Sequence, residues 1–295
     1  MSENRTDTYQ RITDQIIKAI EAGTRPWMQP WNAKNIGQTF ARPLRANGEP
    51  YQGINILLLW MASADQGFEH DRFMTYRQAQ ELGGQVRRGE QGTMIVKYGT
   101  IARPGPSSTA EDEERQIPYL KSYSVFNVSQ IEGLPADYHT RPEARPQEDR
   151  MAAVDAFIER TQARIAHGGS RACYVPALDL IRMPPFAAFS SSTSYYSTCL
   201  HELAHWTGAT HRLDRLETAN KRSASYHFEE LVAEMTACFL CCDLQITAEV
   251  REESAAYLAN WLSVMRQDKR MIFRAASKAQ TAATYLHALQ DEVAV

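Results

Sequence analysis

The sequence predicts a two-domain α+β protein. The first observation is that helical and strand patterns are mixed within residues 1–131, which predicts a compact N-terminal domain. The second is that residues 151–295 combine two short strand patterns with several long helical patterns. The third is that residues 132–150, between them, contain prolines without clear periodicity and predict a linker. The first domain is expected to fold without the second.

The N-terminal helices are predicted from apolar spacing and from the residues at their ends. Residues 8–22 predict an amphipathic helix, because isoleucines recur at helical spacing and Gly23 follows. The apolar run at 51–61 predicts a buried helix. Residues 73–84 predict a short strand or turn followed by a helix, with Thr75 as its N-cap.

Two strands complete the predicted N-terminal domain. Residues 93–98 and 120–128 carry strand patterns and are expected to pair as a hairpin. Residues 102–118 between them are rich in proline, serine and acidic side chains, which predicts a solvated loop.

The second domain is predicted to place a small sheet before a series of helices. Residues 151–166 predict a helix, and residues 171–175 and 178–183 predict strands. The chain is expected to end in two helices at 249–267 and 269–290. Between these parts lie the residues that point to chemistry.

Residues 201–205 read HELAH, which has the HExxH spacing. Residues four apart share one face of a helix, so His201 and His205 can bind one metal ion. Glu202 beside them is suited to act as a general base. Gly208 follows where a helix commonly ends. Without further support, two histidines on a solvated helix face are an equally good interpretation.

A three-ligand zinc site needs one more side chain. Residues 228–244 lack glycine and proline and repeat apolar residues at helical spacing, which predicts a helix with a buried face. Glu230 and Glu234 are four apart, so one can bind the metal while the other orients a histidine. Glu229, on an adjacent face, is an equal candidate for the ligand. The alternative interpretation is favourable charge at a helix N-terminus together with a solvated face.

The stretches HELAHWTGATHRLDR and YHFEELVAEMTACFL resemble the zincin-type metallopeptidase domain of ArdC-type antirestriction proteins. The resemblance implies a gluzincin-type site with two histidines and one glutamate. His201, Glu202 and His205 match its motif, and Glu229 and Glu230 match its paired glutamates, one of which is the implied third ligand. Zn²⁺ is the expected metal, with another divalent ion such as Mn²⁺ as the alternative.

Aromatic and basic residues in the N-terminal half predict contacts with nucleic acid. Two tryptophans lie in a segment whose prolines prevent a regular helix, and they are either core side chains or stacking platforms for bases. The candidates for base stacking are Trp27, Trp31, Tyr51 and Tyr98. The candidates for phosphate contacts are Lys34, Arg42, Arg45, Arg87, Arg88 and Lys97.

The blocks PWMQPW, YQGINILLLW and FMTYRQAQELGGQVRRGEQGTMIVKY resemble, in order and spacing, the N-terminal single-stranded-DNA-binding domain of the same family. The resemblance covers most of residues 8–131. It implies binding of single-stranded DNA without strong sequence preference.

Composition limits the classes of partner and compartment. The net charge of −3 excludes a polycation, so a nucleic-acid surface must be a local patch. Five cysteines, mostly within apolar helical patterns, predict reduced core residues in a cytoplasmic protein. The polar start and the lack of an apolar run of about 18 residues predict neither a signal peptide nor a membrane span.

The two resemblances together imply a plasmid-type antirestriction protein that binds single-stranded DNA and carries a zinc peptidase site. It would protect incoming DNA from host restriction, with host restriction-modification proteins as candidate targets or substrates. Two alternatives stay open: a DNA-shielding protein with a non-catalytic metal site, and a DNA-dependent protease acting on DNA-bound proteins. His211 and Tyr226 are candidates to stabilise an oxyanion, or else a surface histidine and a packed tyrosine.

Overall fold

The structure is a computed structural model that describes residues 7–27, 42–103, 115–140, 147–216, 223–246 and 252–291. Within these ranges the helices are α1 (Thr8–Glu21), α2 (Ile54–Gln66), α3 (Tyr76–Glu81), α4 (Gln147–Arg160), α5 (Ser192–Thr207), α6 (Ala224–Asp243), α7 (Glu252–Gln267) and α8 (Met271–Asp291). The strands are β1 (Phe73–Met74), β2 (Gln85–Val86), β3 (Thr93–Arg103), β4 (Arg115–Asn127), β5 (Ile131–Glu132), β6 (Arg164–His167), β7 (Cys173–Val175) and β8 (Leu180–Met183). This mixture confirms the predicted α+β class.

A long antiparallel ribbon dominates the N-terminal half. Strands β3 and β4 pair from Thr93 opposite Val125 to Arg103 opposite Arg115, and β1 adds two residues to the other edge of β4. The predicted loop at 102–118 is therefore wrong at both ends, because residues 102–103 and 115–118 belong to the strands. The composition of residues 102–118 indicated a loop, but pairing between β3 and β4 continues into both ends of that segment.

Helix α2 secures the outer edge of the ribbon. The side-chain amide of Asn55 donates to the carbonyl of Val96 at 2.8 Å, and its oxygen accepts from the Val96 N–H at 2.9 Å. Strand β3 is the edge strand of its sheet, so these two bonds satisfy backbone groups that have no neighbouring strand. They also fix α2 against the sheet.

The second half places a three-stranded sheet beside two long helices. The strand order is β6-β8-β7, with β6 parallel and β7 antiparallel to β8. The predicted helix at 151–166 is wrong at its end, because α4 stops at Arg160 and residues 164–167 form β6. Gln162, at a φ of 56°, makes the turn, and the apolar residues that follow fit a strand as well as a helix.

One hydrophobic core joins the two halves. It contains Ile12 and Ile16 of α1, residues of α2, and the buried faces of α5, α6 and α8. Thr13 donates to the carbonyl of Lys269 at 2.8 Å, so α1 is also tied to the start of α8 by a hydrogen bond. The burial of α1 and α2 against helices of the second half argues against the expectation that residues 1–131 fold by themselves, which stays a prediction. The segment boundaries read from the sequence stay a prediction.

The cysteines agree with the expectation of reduced core residues. All five cysteines are free thiols, and those at 199, 238, 241 and 242 are buried. The four buried cysteines therefore serve as small apolar core residues. In the ranges that the structure describes, none of the helices has both the length and the apolar character to cross a membrane.

Candidate metal centre

Helix α5 carries the HExxH residues into the core. Ser191 caps the helix by accepting a hydrogen bond from the Ser194 N–H at 2.9 Å. The helix is buried from Tyr196 to Ala204, and His201 and Glu202 within this stretch are 2% and 3% exposed. His205, one turn later, is half-buried on the same face. Helix α6 packs against this face, so its glutamates come within reach of the histidines.

Three side chains converge on one point. The Nε2 atoms of His201 and His205 are 3.1 Å apart. The Glu230 carboxylate lies 3.5 Å from His201 Nε2 and 3.6 Å from His205 Nε2. Among the described residues, these three form the group whose ligand atoms are close enough to hold a metal ion, all within 4.8 Å of one another. Two imidazoles and one carboxylate are a donor set that suits Zn²⁺ and leaves a position open.

The neighbouring glutamates face the other nitrogen of each histidine. Glu229 lies 3.2 Å from His205 Nδ1, and Glu234 lies 3.7 Å from His201 Nδ1. Metal-binding histidines commonly donate their second N–H to a carboxylate, which fixes the ring and its tautomer. Of the two glutamates left open by the sequence, the structure therefore brings Glu230 to the Nε2 atoms and Glu229 to the rear of His205.

Arg215 holds Glu229 in that position. Its Nε donates to one oxygen at 2.7 Å, and its Nη2 donates to the other at 2.9 Å. A second bond from Arg215 Nη2 reaches the Ala204 carbonyl at 2.6 Å, which ties the pair to α5. Sequence patterns did not single out Arg215, because it lies 14 positions from Glu229 and outside the helix that carries it.

The histidines and glutamates of the site shift each other's pKa values. Burial raises the pKa of the Glu230 carboxyl. A hydrogen bond from His201 and the charge of His205 outweigh this effect, so the pKa is lowered overall. Burial lowers the pKa of His205, but Glu229 and Glu230 outweigh it, so the pKa is raised above 6.5. Three acidic side chains around two histidines therefore create a pocket that favours a cation.

Lowering the pH is expected to weaken binding of a divalent metal. Below the raised pKa of His205, its ring must lose a proton before Nε2 can bind an ion, which costs up to about tenfold in affinity per pH unit. Zinc titrations from about pH 8 to about pH 5 would measure this dependence. His211→Ala, which removes an exposed histidine, is expected to leave it unchanged. An affinity that stays constant over this range would contradict a role for His205.

Glu202 lies between α5 and the sheet. Its Oε2 accepts a hydrogen bond from the backbone N–H of Tyr174 at 2.8 Å. Tyr174 belongs to β7, which lies at an edge of the three-stranded sheet. The carboxylate of the predicted general base is therefore anchored to the edge strand, where an extended peptide could pair.

A cluster around Asp179 fixes that edge strand. The Tyr174 hydroxyl donates to Asp179 at 2.8 Å, and Arg212 forms an ion pair with the same carboxylate. Arg212 also donates to the Trp206 carbonyl at 2.7 Å and stacks 3.7 Å from the centre of its ring. The connector after α5 is thereby joined to the turn between β7 and β8. Sequence patterns did not identify Asp179 or Arg212.

The two oxyanion candidates are placed differently. The Tyr226 hydroxyl lies near the Glu230 carboxylate and 3.4 Å from the Tyr257 hydroxyl, so it borders the metal-binding group. His211 is exposed and lies 3.5 Å from Asp179, in the cluster behind the edge strand. Tyr226 is therefore the better placed of the two.

Several predicted DNA contacts lie in the core instead. Trp27 is 0% exposed and meets Trp261 edge to face, with ring centres 5.5 Å apart. Tyr51 is also buried, and Arg42 forms a buried ion pair with Asp243 at 2.7 Å. These three side chains have no free face for DNA here, because folding uses them. For Trp27 this favours the core interpretation over base stacking.

The remaining DNA candidates are exposed or lie outside the described residues. Trp31 and Lys34 fall within 28–41, which the structure does not describe. The exposed candidates are Arg45, Arg87, Arg88, Lys97 and Tyr98. Arg45 is paired with Glu49 and Arg87 with Glu90, whereas Lys97 and Tyr98 are successive residues of β3 and point to opposite faces of the ribbon.

Comparisons with known families match both halves of the chain. Residues 6–126 match the N-terminal domain of the anti-restriction factor ArdC. Residues 152–278 match a zincin-like metallopeptidase family, MPTase-PolyVal.

Solved structures and curated relatives extend this likeness over the whole chain. The antirestriction protein ArdC of plasmid R388 is 45% identical in its metal-free form, with a TM-score of 0.83 over 97% of this chain and 98% of that one. Its Mn(II)-bound form is 44% identical, with a TM-score of 0.82 over 97% and 99% of the two chains. An uncharacterized protein of Sinorhizobium fredii, y4eC, is 40% identical over 97% of this chain and 94% of its own. The DNA primase TraC of Escherichia coli is 34% identical over 99% of this chain, which spans 28% of that longer protein.

Proposed function

We propose, from the premise that this chain belongs to the ArdC antirestriction family with a zincin-like domain, that it is a metal-dependent peptidase that binds single-stranded DNA. Its role would be to protect incoming plasmid DNA from host restriction. The observation that carries the peptidase proposal is the convergence of His201, His205 and Glu230 beside Glu202.

The donor set supports a resident divalent metal. His201, His205 and Glu230 would hold the ion, with Glu229 and Glu234 orienting the two rings from behind. The solved relative that contains Mn(II) indicates that Mn²⁺ is an alternative to Zn²⁺. When bound, such an ion supplies Lewis acidity that polarises a peptide carbonyl and lowers the pKa of water.

The chain's own residues would perform the proton transfers. Glu202 would accept a proton from the attacking water and deliver it to the leaving amine. The Tyr174 N–H keeps one oxygen of the Glu202 carboxylate in place for this exchange. The Tyr226 hydroxyl, beside Glu230, would donate a hydrogen bond to the developing oxyanion.

The proposal for DNA rests on exposed basic and aromatic side chains of the N-terminal half. Lys97, Tyr98 and Arg88 are exposed, and none of them forms an ion pair within the described part of the chain. Aromatic stacking requires unpaired base faces, which a duplex hides, so single-stranded DNA is expected to bind more tightly than duplex at equal salt. Host restriction proteins would be the substrates held near such DNA.

Glu202→Gln tests the peptidase role. Restriction-enzyme subunits would be incubated with the zinc-loaded or manganese-loaded chain, with and without single-stranded DNA. Cleavage is expected for the unaltered chain and is expected to fall at least about 100-fold in the variant, because the proton acceptor is lost. Metal content should stay within about twofold because the three metal ligands are kept. DNA affinity should stay within about twofold, since the change alters one charge and screening acts over roughly 8–10 Å.

Glu81→Gln serves as the matched control, because it makes the same change on an exposed glutamate of α3. Equal cleavage by Glu202→Gln and the unaltered chain would contradict the assignment of Glu202. If Glu202→Gln lost cleavage but protected DNA from restriction in cells as well as the unaltered chain does, the chain would act by shielding DNA.

A further inference from the structure

We propose that single-stranded DNA binds on the outward face of the ribbon formed by β3 and β4, through Tyr119, Lys121 and Tyr123 of β4 and Lys97 of β3. This inference rests on the proposed DNA-binding function and assigns it to one surface. None of the three β4 residues was a candidate from the sequence, because they follow the predicted acidic loop.

The strand register puts these four side chains on one face. Tyr123 lies opposite Ile95, Lys121 opposite Lys97, and Tyr119 opposite Gly99. Directly opposed residues of an antiparallel pair share a face, and alternate residues along a strand do too. The face therefore presents tyrosine, lysine and tyrosine in order along β4, with a second lysine beside the first.

The core covers part of the opposite face of the ribbon. Val96 is 3% exposed, and Met94 and Leu120 pack against the main hydrophobic cluster. Tyr123, by contrast, is 42% exposed, and both lysines are exposed. At one end the proposed face is covered, because Val125 is buried and Ile95 packs against its cluster. The part available to a ligand therefore runs from Tyr123 to Tyr119 along β4.

The charge of the ribbon is suited to a polyanion. Strands β3 and β4 contain the basic residues Lys97, Arg103, Arg115 and Lys121 and no aspartate or glutamate, although the whole chain has a net charge of −3. Lys97 and Lys121 are direct cross-strand neighbours, an arrangement that destabilises a sheet. Neither lysine forms an ion pair with the residues that the structure describes. A phosphate between them would relieve the repulsion. The acidic residues 111–114 lie outside the described residues.

The tyrosines are presented as stacking surfaces. The Tyr119 ring lies across Gly99, where an added methyl group would overlap it, and the Lys121 ammonium is 4.9 Å from the centre of that ring. The glycine therefore leaves room for the ring to lie on the ribbon. Tyr123 makes no contact with another aromatic ring within the described residues, and it is 42% exposed.

The spacing matches a base–phosphate–base sequence of contacts. Tyr119 and Tyr123 are four residues apart on one strand, which is about 13–14 Å, with the lysine pair between them. Lysines on a ribbon edge can also serve to prevent pairing with another chain. That role does not require aromatic residues alternating with them, whereas binding of unpaired bases does.

The test measures the affinity of the full chain for a labelled single strand of about 16 nucleotides and for the matching duplex. Tyr119→Val and Tyr123→Val are each expected to weaken single-strand binding by about 5- to 150-fold, and Tyr123→Phe is expected to restore it because the ring is kept. Lys97→Ser and Lys121→Ser are each expected to reduce the slope of log affinity against log salt by about 0.7.

Matched controls separate this surface from others. Tyr76→Leu removes a tyrosine that is also 42% exposed but lies on α3, and Lys278→Ser removes an exposed lysine of α8. Both are expected to bind like the unaltered chain. Thermal unfolding of each variant would confirm that the fold is kept, and valine is chosen because it favours strands.

The outcomes distinguish this inference from the function on which it rests. If the unaltered chain binds single strands and the ribbon variants bind equally well, the surface is wrong and the DNA-binding proposal stands. If the unaltered chain does not bind single strands, both fail. If the variants lose duplex and single-strand binding in equal proportion, the ribbon acts by entering a groove and the stacking inference is overturned.

Discussion

Replacing Glu230 by glutamine is expected to weaken zinc binding by more than about 100-fold. The glutamine amide keeps the size of the side chain but loses the negative charge that faces both Nε2 atoms. The loss should exceed the roughly 10- to 100-fold typical of residues that only orient a ligand. Titration with zinc in competition with a chelator would measure it.

Glu229→Gln is the matched control for this prediction, because the two glutamates are adjacent on α6 and both are buried. It is expected to cost about 10- to 100-fold, since Glu229 faces Nδ1 of His205 instead of Nε2. It also leaves Arg215 without its partner, so the stability of this variant must be measured alongside. A larger loss of zinc for Glu229→Gln than for Glu230→Gln would reverse the assignment.

Trp27→Ala is expected to lower the free energy of unfolding of the whole chain by about 3–5 kcal/mol. Its ring is fully buried against Trp261 of α7, so the cavity would open between the two halves of the chain. Both halves should then unfold together, at a lower denaturant concentration than in the unaltered chain. Denaturation followed by tryptophan fluorescence and by circular dichroism would test whether one transition is observed.

Tyr76→Ala provides the comparison for Trp27→Ala. Its side chain is 42% exposed, so its loss is expected to change stability by no more than about 0.5 kcal/mol. An effect of Trp27→Ala as small as this would mean that the two halves do not depend on the contact. Two separate transitions in the unaltered chain would contradict a shared core.

Much of the metal centre was predictable from the sequence, because His201, Glu202 and His205 lie within five consecutive residues of one helix. The spacing of His201 and His205 fixes them on one helical face, and the absence of helix breakers predicts the second helix. The choice between Glu229 and Glu230 was not predictable. It depends on the rotation of α6 against α5, and that rotation is set by packing between helices.

The errors in the fold have the same origin. Residues 164–167 form β6 because they pair with β8, and local apolar spacing does not distinguish this from a continued helix. Trp27 looked like a stacking platform because its partner, Trp261, is distant in sequence. Arg215 and Asp179 were missed since their roles arise only when separate segments meet.

Anomalous diffraction at a metal absorption edge, from crystals grown with zinc, tests the central claim most directly. One strong peak is expected about 2.0–2.2 Å from His201 Nε2, His205 Nε2 and a Glu230 oxygen, with Glu202 nearby and not bound to it. A peak bound by Glu229 in place of Glu230, or no peak between the two histidines, would contradict the account.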